Sequence, residues 1–390
     1  MKDTMDHTPA WFRAEDCNLA DLQELCAQDV TADDVPRATE VQKNVAIYDA
    51  TSLRPLLADR TARADLLAEW ARLLRWGGGV FVIRGAWADA ASIDAASAIY
   101  DRIIAAERLT GTGADHFAAK GANDRVWNSL QKLCEADPVV FARYFGNVFL
   151  QAASEAWLGP NYQVTAQVNL VRPGGAAQQA HRDYHLGFQT ADVAAAYPAH
   201  VHDLSPVLTL QGGIAHVDIP VEAGPTKLLP FSQAYRAGYA AWRLPAFRAY
   251  FEENFVQLPL VKGDAIFFNP ALFHAGGANH TADVQRLVNL VQVSSAFGRS
   301  IETVDRTAMC RLLYPVLASG AAGLAPDEVT AAIAATAEGY PFPTNLDSDP
   351  PVGGLAPESQ AGLMTRALAE GMTPAAFEAA LDAQAARRLA

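Results

Sequence analysis

Apolar and polar positions change period twice along the chain. Between 62 and 75, Leu66, Leu67, Trp70, Leu73 and Leu74 fall on one stripe at helical spacing. Gly77-Gly78-Gly79 interrupts that stripe, and Val80-Phe81-Val82-Ile83 follows as a continuous apolar run, the pattern of a buried strand. A second helix is expected over about 89–106. Asp137-Pro138 reads as an N-cap followed by proline at the first helical position, with Gly159-Pro160 closing that helix. In the middle third the segments 162–172, 207–219, 257–261, 265–269 and 287–294 are β-rich and separated by glycine or proline turns. Short strands so punctuated predict an antiparallel sandwich or jelly roll. An aromatic insert over 232–253 (Trp242, Phe247, Tyr250, Phe251) is expected to be helical and to cover the mouth of that sandwich.

The β signal stops near 300. Residues 341–351 are proline-stiffened and extended, and Thr373-Pro374 opens an alanine-rich helix whose last turn carries Arg387 and Arg388. The first 45 residues lack sustained periodicity. The expected organisation is therefore an N-terminal arm (1–45), a β-rich domain (46–300) and a helical C-terminal extension (301–390) packed on or beside it. The fold class is α+β.

Composition narrows the partners. About half of the 390 residues are apolar, and the formal net charge is −13. That acidic balance predicts no nucleic-acid partner and no anionic membrane surface, both of which need a basic footprint. Cys17, Cys26, Cys134 and Cys310 are scattered without metal or disulfide spacing. The polar residues 1–10 form no signal core, and no run of 18 apolar residues occurs, so a cytoplasmic location is expected.

The candidate chemistry lies in two islands, His181-Arg182-Asp183 and His274 followed by Arg286. A strand projects alternate side chains to one face, so His181 and Asp183 point together if their segment is extended. A second histidine from another strand would complete a two-histidine, one-carboxylate facial set, suited to Fe(II) with three positions left open. His-x-Asp alone is weak evidence. His216-Val217-Asp218 has the same form, and His200-Val201-His202 is another close pair.

Context separates them. Gly263-Asp264-Ala265-Ile266-Phe267-Phe268, then His274 to Asn279, then Arg286, resembles the phytanoyl-CoA dioxygenase-like branch of the Fe(II)/2-oxoglutarate oxygenases. The turn over 222–233 is similar to that family's Asn-Gly-Pro … Pro-Gly-Ser-His turn, with alanine for asparagine at 223, phenylalanine for glycine at 231 and glutamine for histidine at 233. The resemblance covers roughly 62–297. It implies a double-stranded β-helix (jelly-roll) core with flanking helices, and metal ligands His181, Asp183 and His274. It also implies Fe(II), 2-oxoglutarate and O2 as cofactor and co-substrates, with hydroxylation of a small-molecule metabolite and release of succinate and CO2. His216 and Asp218 then become a structural pair.

Arg286 offers a planar two-donor fork for the far carboxylate of 2-oxoglutarate. Gly276 and Asn279 are candidates to make room for or position that end. Gln167 and Asn169 share one face of an apolar strand, as co-substrate contacts or supports of the metal ligands. Lys120 and Arg125 are further candidates for carboxylate contacts, and His185 would share the ligand face if the strand continues. The competing reading is a cupin-like isomerase or a small-molecule binding protein that uses the metal without oxidation. An acyl thioester is the alternative substrate class.

Overall fold

The structure, a computed structural model, describes residues 9–111 and 123–389. The strands among the described residues are β1 (Glu40–Gln42), β2 (Val45–Asp49), β3 (Val80–Arg84), β4 (Asn123–Val126), β5 (Gln163–Val171), β6 (Thr209–Ala215), β7 (Lys227–Leu229), β8 (Ala265–Phe268), β9 (Phe273–Ala275) and β10 (Arg286–Ser294). The chain divides into two compact units. One contains the described residues up to Gly85, residues 123–124 and Asn169–Val288; the other contains 86–111, Arg125–Val168 and the chain from Asn289.

The first unit is built on a mixed sheet in which β1, β2, β3, β8 and β6 lie in that order. β2 and β3 are parallel, with Ile47 opposite Val82; the other neighbours are antiparallel. The 80–83 run is apolar without alternation because both faces of β3 are covered. Val80 and Val82 join Val45, Ile47, Ile266 and Phe268 in one core cluster. On the other face Phe81 stacks on Trp70 with centroids 4.8 Å apart and meets Phe267 at 5.5 Å. Trp70 belongs to the helix Arg60–Trp76, capped by the Asp59 carboxylate on Thr61 and Ala62 N–H, which buries Leu66, Trp70, Leu73 and Leu74 and ends at Gly77 as the periodicity predicts.

A second, smaller sheet pairs β7 with β9, Leu228 opposite His274. The segment expected as a strand over 257–261 is only bridged, Leu260 to Ile219. Its proline at 259 cannot donate to a ladder. Around the smaller sheet Leu22, Ala180, Phe247, Phe251, Phe273 and Ala275 form a second core cluster. The aromatic insert is helical, as expected, and both it and the N-terminal segment contribute to the core. The aromatic insert folds as the helices Gly238–Ala241 and Pro245–Asn254 and spends Phe247 and Phe251 on this core. The N-terminal segment is likewise packed: Leu22 and Val35 are buried, and Arg37 pairs with the buried Glu69 at 2.9 Å.

The second unit is mainly helical. Asp137 caps the helix Pro138–Phe145 as its sequence predicts, but that helix stops at Gly146. Asn147 then caps a separate helix, Val148–Leu158, which runs to Gly159. A β-carbon on Gly146 would lie 2.5 Å from the Ala142 carbonyl oxygen, so the chain turns where only glycine fits. The C-terminal helices are Arg306–Ser319, Pro326–Thr336, Gln360–Ala369 and Pro374–Arg388, the last capped by Thr373. Tyr314 stacks on Phe377 with centroids 4.0 Å apart. Among the described residues, no helix is long and apolar enough to cross a membrane.

Candidate metal centre

His181 and Asp183 lie on an extended segment that runs antiparallel to β9 in the first unit. His181 exchanges both backbone bonds with His274 (3.0 and 3.1 Å), and Asp183 N–H donates to Pro270 O at 2.9 Å. This register sets the two histidines directly opposite each other, with ring centroids 4.4 Å apart. Alternation then brings Asp183 to the same face as His181.

The imidazoles are oriented identically. His181 Nδ1 lies 2.8 Å from Gln179 O, and His274 Nδ1 lies 2.8 Å from Leu272 O. A carbonyl can only accept, so each Nδ1 carries the proton and each Nε2 presents its lone pair. Both lone pairs face one carboxylate: His181 Nε2 is 3.7 Å from Asp183 Oδ1, and His274 Nε2 is 3.4 Å from Asp183 Oδ2. His274 Nε2 is buried without a hydrogen-bond partner among the described residues. One donor atom from each of the three residues lies within 4.8 Å of the others, and no other such cluster of three occurs among the described residues. An orphaned buried nitrogen, a second nitrogen and an acidic oxygen around one point fit a divalent ion. Two nitrogens and one oxygen on one side suit ferrous iron. Burial pushes the Asp183 carboxyl up, but the facing His181 and His274 rings and the Gln211 amide outweigh it and hold the carboxyl well below the usual range.

Gln211, on β6, escaped the sequence reading. Its Nε2 donates to Asp183 Oδ2 at 2.7 Å, fixing the carboxylate's rotation. The signal was present, since it is a lone amide in the apolar strand Thr-Leu-Gln-Gly-Gly-Ile-Ala. Arg182 also escaped it. Strand alternation sends it to the face opposite the ligands, where it is buried between Tyr239 (5.2 Å) and Phe273 (5.0 Å). It donates to Ser232 O at 2.5 Å and Tyr235 O at 2.8 Å. Gly238 admits the guanidinium, for a β-carbon there would sit 1.8 Å from Arg182 Cζ. Burial brings the guanidinium down to about 10, so it remains charged. Tyr239 adds a bond from its hydroxyl to Asp183 O at 3.2 Å.

Beyond Asp183 the strand does not continue. Tyr184 and His185 both take positive φ (53° and 45°), a costly backbone for residues with a β-carbon, and a short 3₁₀ turn follows. His185 is therefore not on the ligand face by strand alternation. Its Nδ1 lies 3.5 Å from Ser205 Oγ.

Arg286 opens β10 and is buried. Its Nη1 donates to Ala223 O at 3.2 Å, to Gly277 O at 2.9 Å and to Gly224 O. The Gly224 turn is pressed so close that a β-carbon there would lie 2.2 Å from Ala278 O. No carboxylate pairs with Arg286 among the described residues, and burial alone lowers its guanidinium to about 10. Gly276 pairs through its backbone with Gln178, and Asn279 spends its amide on Val171 O, Val284 O and Thr281. These two residues thus hold the loop leading to Arg286. Asn169 is half-buried on β5. Gln167 belongs to the second unit, where it accepts from Arg125 Nη1 at 2.7 Å and donates to Gln292 Oε1 at 3.3 Å. Lys120 lies outside the described residues. His216 is buried while Asp218 is exposed and accepts from Lys262 N–H, so that pair does not converge. His202 is buried with Nε2 3.0 Å from Ala194 O.

The first unit thus carries a three-residue metal-type cluster on β9 and the extended segment bridged to it. Residues 78–287, more than half of the chain, match the family described as Phytanoyl-CoA dioxygenase (PhyH), and the chain belongs to that family. Fe(II), 2-oxoglutarate and O2 are its cofactor and co-substrates. "Dioxygenase trt7" from Aspergillus terreus is 26% identical over 191 residues, 48% of this chain and 61% of that relative; the chain thus spans about three fifths of its length. Among solved structures, the epimerase SnoN from nogalamycin biosynthesis, in complex with Fe3+, alpha ketoglutarate and nogalamycin RO, is 21% identical with a TM-score of 0.40, over 61% of this chain and 85% of that one. AviO1 from Streptomyces viridochromogenes Tue57 is 20% identical with a TM-score of 0.42, over 62% and 97%.

Proposed function

We propose that this chain is an Fe(II)/2-oxoglutarate-dependent oxygenase that hydroxylates an unactivated C–H bond of a small-molecule metabolite. The observation that carries the reading is the convergence of His181 Nε2, His274 Nε2 and the Asp183 carboxylate. Both Nδ1 atoms are already committed to carbonyls, so the three are preset to grip one ion. When bound, ferrous iron supplies the coupled oxidation of 2-oxoglutarate to succinate and CO2 and of the substrate by dioxygen. The residues do the rest. Asp183 supplies the anionic ligand, kept ionised by its neighbours and rotationally fixed by Gln211. Arg286, a buried cation without an acidic partner among the described residues, receives the far carboxylate of 2-oxoglutarate. Gly276 and Asn279 shape the loop that delivers it. Asn169 and Lys120 are proposed to assist co-substrate binding.

The presence of a carboxylate at 183, rather than a small residue that would leave a metal position open, favours hydroxylation over halogenation. The two-sheet arrangement of the first unit is read as the jelly-roll core of a 46–300 oxygenase domain, preceded by an arm (1–45) and followed by a helical extension (301–390).

The test is to load the purified chain with ferrous iron and follow succinate from 2-oxoglutarate with and without candidate metabolites. Stoichiometric succinate together with a product one oxygen atom heavier supports the proposal. Metal binding with substrate conversion but no succinate would instead establish the cupin-like isomerase. Conversion only of acyl thioesters would move the substrate class.

A further inference from the structure

Strand alternation sends the chain neighbours of the metal ligands to the face away from the ion. Arg182 lies between His181 and Asp183, and Phe273 immediately precedes His274. The two side chains meet behind the site, with the Arg182 guanidinium 5.0 Å from the centre of the Phe273 ring.

One residue joins both ligand segments there. Ser232 is fully buried in the turn after β7. Its carbonyl accepts from Arg182 Nη2 at 2.5 Å, and its hydroxyl oxygen accepts from the Phe273 N–H at 2.8 Å. The same hydroxyl donates to Leu229 O at 2.6 Å. Arg182 Nη2 makes a second bond, to Tyr235 O at 2.8 Å. No carboxylate pairs with this buried cation among the described residues, so its hydrogen bonds go to main-chain oxygens of a single turn.

The turn is itself anchored. Gln233 Nε2 donates to Gly77 O at 2.7 Å, and the Phe231 N–H donates to Gly78 O at 3.4 Å. A β-carbon on Gly79 would lie 2.5 Å from the Gln233 amide carbon, so that side chain is pressed against the backbone leading into β3. The 222–233 turn, which the sequence marks out and the ligand set does not use, thus links the frame of the larger sheet to the backs of both ligand segments.

The His181–Asp183 segment needs such a link. It is joined to β9 by an isolated bridge and is not part of a continuous ladder, and the chain bends away through two positive φ angles directly after Asp183. We propose that Arg182 and Ser232 are positioning residues of the metal centre, a tether that fixes the His181–Asp183 segment relative to Phe273-His274 and so sets the spacing of the three donors. The inference rests on the reading of His181, Asp183 and His274 as metal ligands. It assigns no chemical step to Arg182, which acts through the main chain.

The test is an anaerobic titration of the full chain with ferrous ion and, separately, with Co(II) as a spectroscopic probe of ligand geometry, alongside thermal melts. Arg182→Met and Ser232→Ala are each expected to weaken ferrous binding about 10- to 100-fold and to change the Co(II) d–d absorption envelope. Arg182→Lys, which keeps a donor, should fall between wild type and Arg182→Met, and with Ser232→Ala it carries the test if Arg182→Met does not fold. The control is Arg306, which is also buried and donates to the carbonyls of Val164, Ala335 and Thr336. Arg306→Met should lower the melting temperature while leaving ferrous affinity within about twofold and the Co(II) spectrum unchanged, because the two sites are independent. Wild-type ferrous affinity and Co(II) spectrum in the folded Arg182 and Ser232 variants overturn the tether, and so does an equal weakening by Arg306→Met. A wild-type chain that binds no ferrous ion would overturn the metal-centre reading, and this inference with it.

Discussion

Two segments of the first unit share the tripeptide form His-x-Asp and end differently. At 181–183 the chain is extended against β9, and both side chains meet His274 across the register. At 216–218 the chain has just left β6; His216 is buried, while Asp218 is exposed and caps the Lys262 N–H. The i, i+2 spacing is the same in both. The difference lies in the partner strand, which presents a third donor to one segment and none to the other. A metal motif of this kind is a property of two strands in register.

Variants can break that comparison. The largest effect is expected from Asp183→Ala and His274→Ala, which remove a donor from a three-residue grip. Each should abolish stoichiometric iron binding and reduce turnover by at least about a thousandfold, whereas His216→Ala and Asp218→Ala should keep the wild-type iron content. Retained iron in both members of the first pair would reject the site.

Arg286→Ala comes next. The apparent 2-oxoglutarate requirement should rise about a hundredfold while iron binding stays within a few-fold, since a charge-assisted bidentate pair is worth roughly 1.5–3 kcal/mol per bond. Proportional loss of iron would show that Arg286 serves the fold through its three carbonyl partners. Gln211→Leu should follow, weakening iron about 10- to 100-fold, the usual cost of removing a partner that orients a ligand. A Gln211→Glu variant that bound iron as tightly as wild type would argue against that orienting bond.

Arg182→Met probes the opposite face of the same segment. It leaves the Ser232 and Tyr235 carbonyls without their donor, and about 2–4 kcal/mol of stability should be lost in a denaturant titration. The smallest effect is expected on the outer side of the comparison: Asp218→Ala should change stability by less than about 1 kcal/mol.

How much of this was legible follows from where each signal is stored. The ligand spacing, the apolar run of β3 and the caps at Asp137 and Thr373 are local, and they could be read from neighbouring residues. The break at Gly146-Asn147 was also local, since glycine followed by a capping residue is a stop and a start, although the apolar residues on both sides suggested one continuous helix. Gln211 could have been found by the same reasoning that singled out Gln167 and Asn169. Arg182 could not. Its place is defined by Gly238, Tyr239 and Phe273, which are brought to it by the fold alone. Asn279 shows the converse. Its amide is fully occupied by Val171, Val284 and Thr281, contacts that sequence spacing does not reveal and that leave it to position the loop rather than to offer a free group.

The most direct measurement is the ferrous iron stoichiometry of the purified chain under anaerobic conditions, compared with His274→Ala and His216→Ala. One ion per chain for the wild type and His216→Ala, with none for His274→Ala, is the predicted result. One ion retained by His274→Ala and lost by His216→Ala would place the metal elsewhere and contradict the account.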